Sequence, residues 1–382
     1  MSKRIVLNSL SYHGTDTLLE INTEVKRRNL KKAFFIVDKA LEKTGVSDKV
    51  LDVLKGNHLD FELFTNFKSN PSVKNLKDGL NAFKISGADY VISLGGGSSM
   101  VMGKAISVVA NNEEYSDFES LEGEIFTKHL PVTMFAIPTT AGTGSETSMT
   151  ISFHSTDTQK QYLSTDANYV PTVAFVDSIL MKTMPRGLAA ATGMDALTHA
   201  IESYISSKAN TITEMYSLKA IELLGGNLEK SLDGDEKALE NVALGQYLAG
   251  QAFTNAGLGL VHAMADSLGA LYDTPHGLAN AIILPVVLEY NQKGTHEKYK
   301  YIARALGKTG LTIMTKEQYR EEAVLAVQKL SKNIGIPKNL MNIAEIDDLD
   351  TLVNLTLNSV YVKTNPRTVT DGVVRSLFLK LI

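Results

Sequence analysis

Three histidines and an aspartate fall in one stretch of the chain at spacings that suit a divalent metal ion. Asp195 and His199 stand four residues apart in the run Gly193-Met194-Asp195-Ala196-Leu197-Thr198-His199-Ala200-Ile201-Glu202. Apolar Met194, Leu197, Ile201, Tyr204 and Ile205 recur there at helical spacing, which predicts an amphipathic helix. That helix stacks Asp195 and His199 on one face, a turn apart. His262 lies in a second apolar helical run, Gly259-Leu260-Val261-His262-Ala263-Met264-Ala265-Asp266, and His276 follows in Thr274-Pro275-His276-Gly277. One carboxylate and three imidazoles suit Fe(II) or Zn(II) in an open site with room for a substrate oxygen. Taken singly, such residues are commonly surface acids or satisfied core histidines. Here three of only eight histidines occupy apolar, glycine-flanked contexts within one stretch, which favours the metal.

A second chemistry is written earlier in the chain. Gly95-Gly96-Gly97-Ser98 directly follows the strand-like run Tyr90 to Leu94 and precedes a helical run from Met100 to Ala110. Glycines in that position let a backbone approach a pyrophosphate, whose charge then rests on the helix N-terminus. The spacing is neither G-x-G-x-x-G nor a Walker loop. The polar loop Pro138-Thr139-Thr140-Ala141-Gly142-Thr143-Gly144-Ser145-Glu146 also follows a strand, and its hydroxyls suit phosphate, ribose or a carboxamide, or an ordinary turn. Asp38 ends the first convincing strand, Lys32 to Asp38. A carboxylate there can accept from a ribose 2′-hydroxyl and repels a 2′-phosphate, favouring NAD over NADP, and it can equally cap the helix that begins at Lys39.

The elements that must position these groups divide the chain in two. Up to about residue 180, strands (Lys32 to Asp38, Tyr90 to Leu94, Thr133 to Pro138) alternate with helical runs (Ser47 to Leu54, Asn75 to Ser86), which predicts a parallel sheet with helices on both faces. Asn70-Pro71-Ser72 reads as a turn or helix start. From Met184 onward helical patterns take over: Thr213 to Leu224, Glu236 to Phe253, Val261 to Tyr272, Leu278 to Glu289, Lys298 to Leu306, Tyr319 to Asn333, Leu349 to Asn358 and Asp371 to Lys380. The expected organisation is an α/β domain over 1–184 and an all-helical, metal- and substrate-binding domain over 185–382, with the site in the cleft between them.

Composition narrows the class. At 382 residues, 44% hydrophobic and 21% charged, the chain reads as a two-domain globular protein with ample core. A formal net charge of -4 gives no basic footprint, so nucleic acid and anionic membrane are not expected partners. No apolar run approaches the roughly 20 residues that span a bilayer, and the N-terminus carries no signal-peptide pattern. A cytosolic protein is expected. With no cysteine, any metal must be held by nitrogen and oxygen.

The glycine turn, the Pro138 to Glu146 loop, the Gly193 to His199 run, and His262 with Pro275-His276-Gly277 together resemble the iron-containing (group III) alcohol dehydrogenases. The resemblance runs essentially end to end. It implies a Rossmann-like dinucleotide domain and a helical domain of the dehydroquinate synthase-like fold, with Fe2+ held by Asp195, His199, His262 and His276. It implies NAD(H) on Gly95, Gly96, Gly97, Ser98, Thr139, Thr140 and Thr143, with Asp38 where NAD-specific members carry an aspartate. It implies interconversion of small primary alcohols or diols and aldehydes, and a homodimer joined through N-terminal strands, here Arg4 to Leu7. By alignment the substrate pocket includes Thr150, Phe253 and Tyr361, the last bulky enough to favour small substrates. Glycerol- and butanol-type dehydrogenases share this architecture.

Three positions depart from the family pattern. Val101 stands where an acidic residue is usual, three positions after the glycine turn. Asp266 stands where a second histidine usually follows the third ligand, and is expected to relay a proton, to approach the metal, or merely to fill the space. The lysine often placed near the cofactor lands on Gln161, beside Lys160. Val101 and Asp266 are the features that would mark a catalytically impaired, NAD-binding relative.

Overall fold

The computed structural model describes residues 3–157 and 160–382 and resolves into two compact units. One takes in the chain through Thr140 together with Ser145–Thr183, and the other comprises Ala141–Gly144 and Met184–Ile382.

The first unit holds strands β1 (Leu10–Gly14), β2 (Lys32–Val37), β3 (Asp60–Phe64), β4 (Tyr90–Gly95), β5 (Gly123–Glu124), β6 (Thr133–Pro138), β7 (Thr150–His154), β8 (Gln161–Thr165) and β9 (Val173–Asp177). Its helices are α1 (Glu20–Arg27), α2 (Lys39–Lys43), α3 (Val46–Gly56), α4 (Val73–Ser86) and α5 (Gly97–Val109). Six strands form one sheet in the order β1-β9-β6-β4-β2-β3, with every neighbouring pair parallel. The two-residue period of the strands explains why both faces are covered. Ala33, Phe35 and Val37 pack with α1 and α3 side chains such as Ile21, Val25 and Val50, whereas Phe34 and Ile36 pack with Leu80, Phe83, Met102 and Ile106 of α4 and α5. Each of these side chains except Ala33 contributes roughly 1.5–3 kcal/mol on burial. Ser72 caps α4 through a capping box with Asn75, as the Asn70-Pro71-Ser72 signal predicts.

A second sheet, order β5-β8-β7, was not expected from the sequence. β7 and β8 pair antiparallel with Thr150 opposite Thr165. Arg4 to Leu7 lies outside any strand, the first being β1.

The second unit is helical: α6 (Arg186–Ile205), α7 (Thr211–Leu232), α8 (Glu236–Ala256), α9 (Leu260–Tyr272), α10 (His276–Asn291), α11 (Lys298–Ala305), α12 (Lys316–Asn333), α13 (Leu349–Asn358) and α14 (Asp371–Leu379). From Ala190 to Ile205 every residue of α6 is buried, so it is the core of this unit rather than an amphipathic surface helix. Ala141–Gly144 joins this unit because two glycines allow close approach. A Cβ on Gly142 would stand 2.5 Å from Thr192 Cβ on α6, and one on Gly144 (φ +57°) would stand 2.8 Å from Gly250 Cα on α8. The loop expected to act as one cofactor-binding piece is therefore divided, with Thr139 and Thr140 in the α/β unit and Thr143 in the helical one. No helix among the described residues is long and apolar enough to cross a membrane.

Candidate metal centre

Three helices bring the four expected ligands together. α6 presents Asp195 and His199 a turn apart, α9 carries His262 in its first turn, and His276 opens α10. One ligand atom from each residue lies within 4.8 Å of all the others. The Nε2 atoms of His199, His262 and His276 stand 3.9, 3.7 and 3.9 Å from Asp195 Oδ1. These separations are too long for hydrogen bonds. They approach the spacing of two ligands held tetrahedrally at about 2.1 Å from a common ion, which is about 3.4 Å. His262 Nε2 is buried without a hydrogen-bond partner. The donor set therefore fits a divalent cation. The site is open on one side only, since the His276 side chain is 47% exposed while Asp195 and His262 are each 2% exposed.

The electrostatics agree with that use. Burial alone would raise the Asp195 carboxyl, but His199, His276 and His262, with the Asn280 amide, hold it below its ordinary range. His199 is pushed down to about 3, chiefly by burial, so its imidazole is neutral. Burial also presses His262 downward, and the Glu202 carboxylate outweighs it, leaving that imidazole raised. Neutral imidazoles and an ionised carboxylate are what ligation requires, and a cation at His262 Nε2 takes the place of its proton.

A further ring of polar groups holds the ligands. Glu202, three residues after His199 on α6, is buried. Its Oε2 lies 2.7 Å from His262 Nδ1 and accepts from Gly259 N at 3.0 Å, while Oε1 accepts from Val261 N at 2.7 Å. The same carboxylate thus caps the start of α9 and orients the imidazole one turn in. Asn365 adds a contact from Leu260 N at 3.3 Å. Asn280, one turn after His276 on α10, donates to Asp195 Oδ1 at 2.7 Å and lies 3.0 Å from His276 Nε2. Asp266 Oδ1 is 3.5 Å from His276 Nδ1. Sequence reasoning assigned no role to Glu202 or Asn280. The available signals were their offsets, three and four residues after a candidate ligand on the same helix.

Two of the three expected pocket residues lie against these rings. Phe253 stacks on His199 at 4.5 Å between centroids, and Tyr361 meets His262 edge-on at 5.9 Å. Thr150 belongs to the α/β unit, where its hydroxyl is 3.3 Å from Thr165 Oγ1.

The candidate nucleotide residues of the α/β unit gather at the C-terminal ends of β2, β4 and β6. Val37 pairs with Leu94, and Gly95 with Pro138, so Asp38, Gly95 to Ser98 and Thr139 leave the sheet at one level. The chain runs outward from β2 to β3 and then returns to β4 on β2's other side. The turn therefore sits at the switch point where open α/β sheets bind ligands. Gly95 (φ +145°) admits no side chain, since a Cβ there would stand 2.4 Å from Ser99 Oγ. Thr139 N donates to Gly95 O at 3.1 Å, and Thr140 Oγ1, beside Gly96, is buried without a partner. Ser98 Oγ accepts from Asn70 N at 3.1 Å. Asp38 Oδ1 accepts from Ala40 N and Leu41 N, so the expected helix cap is made. An orphaned hydroxyl beside a side-chain-free turn fits a pyrophosphate. Of the departures, Val101 packs against the apolar core. Lys160 is held by Glu122 at 2.6 Å, and Gln161 donates to Ser152 Oγ at 2.5 Å.

A parallel sheet with a glycine turn at its switch point, followed in the chain by a helical unit that gathers one aspartate and three histidines, defines a class of α/β-plus-helical proteins whose ligand cluster could hold a metal ion. Residues 9–178 match the iron-containing alcohol dehydrogenase family, and residues 189–382 match the C-terminal part of the same Fe-containing family. The chain is 44% identical to the lactaldehyde reductase of Escherichia coli K12 over 373 residues, covering 97% of each. It is 34% identical to the NAD-dependent methanol dehydrogenase of Bacillus methanolicus over 365 residues, covering 94% of each. The crystal structure of a 1,3-propanediol oxidoreductase superposes with a TM-score of 0.97 at 33% identity, covering all of both chains. The chain belongs to the iron-containing alcohol dehydrogenase family and is an oxidoreductase.

Proposed function

We propose that the chain is a ferrous-ion- and NAD(H)-dependent reductase of small aldehydes, acting on lactaldehyde and 1,2-propanediol. The observation that carries this is the Asp195, His199, His262 and His276 cluster, open on the His276 side. Resemblance to a lactaldehyde reductase across nearly the whole chain supports the substrate. The bulk of Tyr361, whose ring meets His262 edge-on, supports short-chain substrates.

A ferrous ion on these ligands supplies Lewis acidity toward the substrate oxygen, and NAD(H) supplies the two-electron carrier. The chain's own residues set the conditions. Asp195 balances part of the cation's charge, Glu202 fixes the His262 tautomer, and the rings of Phe253 and Tyr361 keep water from the imidazole faces. Asp266, exposed beside His276, is placed to pass a proton between solvent and product oxygen. The glycine turn and α5 N-terminus take the pyrophosphate, with Thr139, Thr140 and Thr143 supplying hydroxyls. The protein is proposed to work in the cytoplasm as a homodimer, Arg4 to Leu7 extending the open edge beside β1.

The test is NADH oxidation with lactaldehyde by protein reconstituted anaerobically with Fe(II). Turnover that disappears on chelation and returns with added Fe(II) is expected. Absence of turnover by protein that holds both metal and NADH would sink the proposal. Asp38→Gly probes the nucleotide. Relief of like-charge repulsion worth about 1.4 kcal/mol or more is expected to raise kcat/KM for NADPH relative to NADH by about tenfold or more. An unchanged ratio would remove Asp38 from the cofactor site.

A further inference from the structure

The mechanism above leaves one buried cation without a task. Lys104 lies eight residues into α5, 1% exposed. Lysines are almost never so buried without partners, because desolvating an ammonium is costly. Its Nζ donates to Ser148 O and to Ser148 Oγ, each at 2.8 Å, and Ser148 Oγ in turn donates to Thr150 O at 3.2 Å. Buried Glu146 faces it with the opposite charge.

We propose that Lys104 is a positioning residue for the dinucleotide, bracing the segment after the threonine loop against the helix that begins at the glycine turn. This rests on the reading that Gly95 to Ser98 and the Thr139–Thr140 hydroxyls hold NAD(H). The two arms of that cradle meet directly through Thr139 N and Gly95 O. Two turns further along α5, Lys104 makes a second tie, to the segment six to eight residues past Thr140. Asn8 Nδ2 holds the same segment from outside, donating to Glu146 O at 2.9 Å. Two ties set the angle between loop and helix where one tie would allow a hinge. Burial drives the lysine down to about 7, Glu146 opposing. The neutral amine still has two N–H groups for its two acceptors, so the brace survives loss of the proton.

Lys104→Met keeps length and apolar stem while removing both hydrogen bonds. Fluorescence titration with NADH is expected to give about a tenfold higher Kd. KM for NADH should rise in parallel, with kcat, aldehyde KM and metal content within about twofold of the parent. Amide exchange over residues 139–150 should quicken in the absence of nucleotide. Ser148→Ala, which removes one acceptor and leaves the lysine in place, should raise the NADH Kd by about threefold and covers the case in which Lys104→Met fails to fold. Unchanged NADH affinity in Ser148→Ala and in any folded Lys104→Met protein, with only a lower melting temperature, would reduce Lys104 to a core residue and overturn the inference. A parent protein that binds no NADH overturns the cofactor reading and this role with it. Normal parent binding that neither variant weakens overturns this role alone.

Discussion

His262→Ala is expected to yield folded protein that holds almost no metal and turns over almost no aldehyde. Its imidazole stands nearest Asp195 Oδ1 of the three, at 3.7 Å, and its Nε2 has no other partner. Four-ligand divalent sites bind with roughly 10–16 kcal/mol in total, so deleting one ligand removes about 3 kcal/mol and lowers affinity by about two orders of magnitude. The fold should tolerate the change. Glu202 keeps its bonds from Gly259 N and Val261 N, so its carboxylate is not stranded and α9 keeps its cap. Metal content after dialysis, the melting curve of the metal-free protein and steady-state turnover separate these effects. Parent-like metal content with parent-like turnover would remove His262 from the centre.

What the sequence made legible was local. Asp195 and His199 needed only a helix to share a face, and Gly95 to Ser98 needed only a strand before and a helix after. Ser72 announced its helix three residues ahead of Asn75. Even the division into alternating and helical halves followed from a change of period near Met184. The four-residue spacing from His199 also marked Asp195 as the acid of the metal set. The end-to-end family resemblance implied Asp195, and the geometry brings its Oδ1 among the three Nε2 atoms.

What was not legible was non-local. Glu202 meets His262 across 60 residues and Asn280 meets Asp195 across 85, distances over which side-chain partnership leaves no periodic trace. The small sheet of β5, β8 and β7 escaped because its strands are short and alternate hydroxyls with apolar groups, as in Thr-Ile-Ser-Phe-His, a pattern shared with polar loops. β1 and β3, at the two edges of the large sheet, carry too many polar residues to stand out. The threonine loop reads as one element until Gly142 and Gly144 are seen against α6 and α8, where side-chain-free backbone lets four residues join the helical unit.

Glu202→Gln is the other large effect, and it separates a charge from a shape. Both carboxylate oxygens accept: Oε1 from Val261 N, and Oε2 from Gly259 N with His262 Nδ1 beside it. A glutamine of the same size must place its NH2 at one of these positions. At the Oε1 position it opposes the Val261 amide, donor against donor. At the Oε2 position it opposes the Gly259 amide and demands that His262 Nδ1 accept, which puts the imidazole proton on Nε2, where the metal binds. Either arrangement loses at least one charge-assisted bond worth roughly 1.5–3 kcal/mol, together with the anion at the α9 N-terminus. Metal affinity, read by Co(II) or Zn(II) competition with a chelator, is expected to fall about 10–100-fold, the usual range for a lost carboxylate behind a histidine ligand. The metal-free protein should also melt several degrees lower, since the α9 cap fails whether or not a cation is present. A lower melting temperature with parent-like metal affinity would make Glu202 a helix cap alone. The reverse result, weaker metal binding at an unchanged melting temperature, would place its whole contribution in the His262 tautomer.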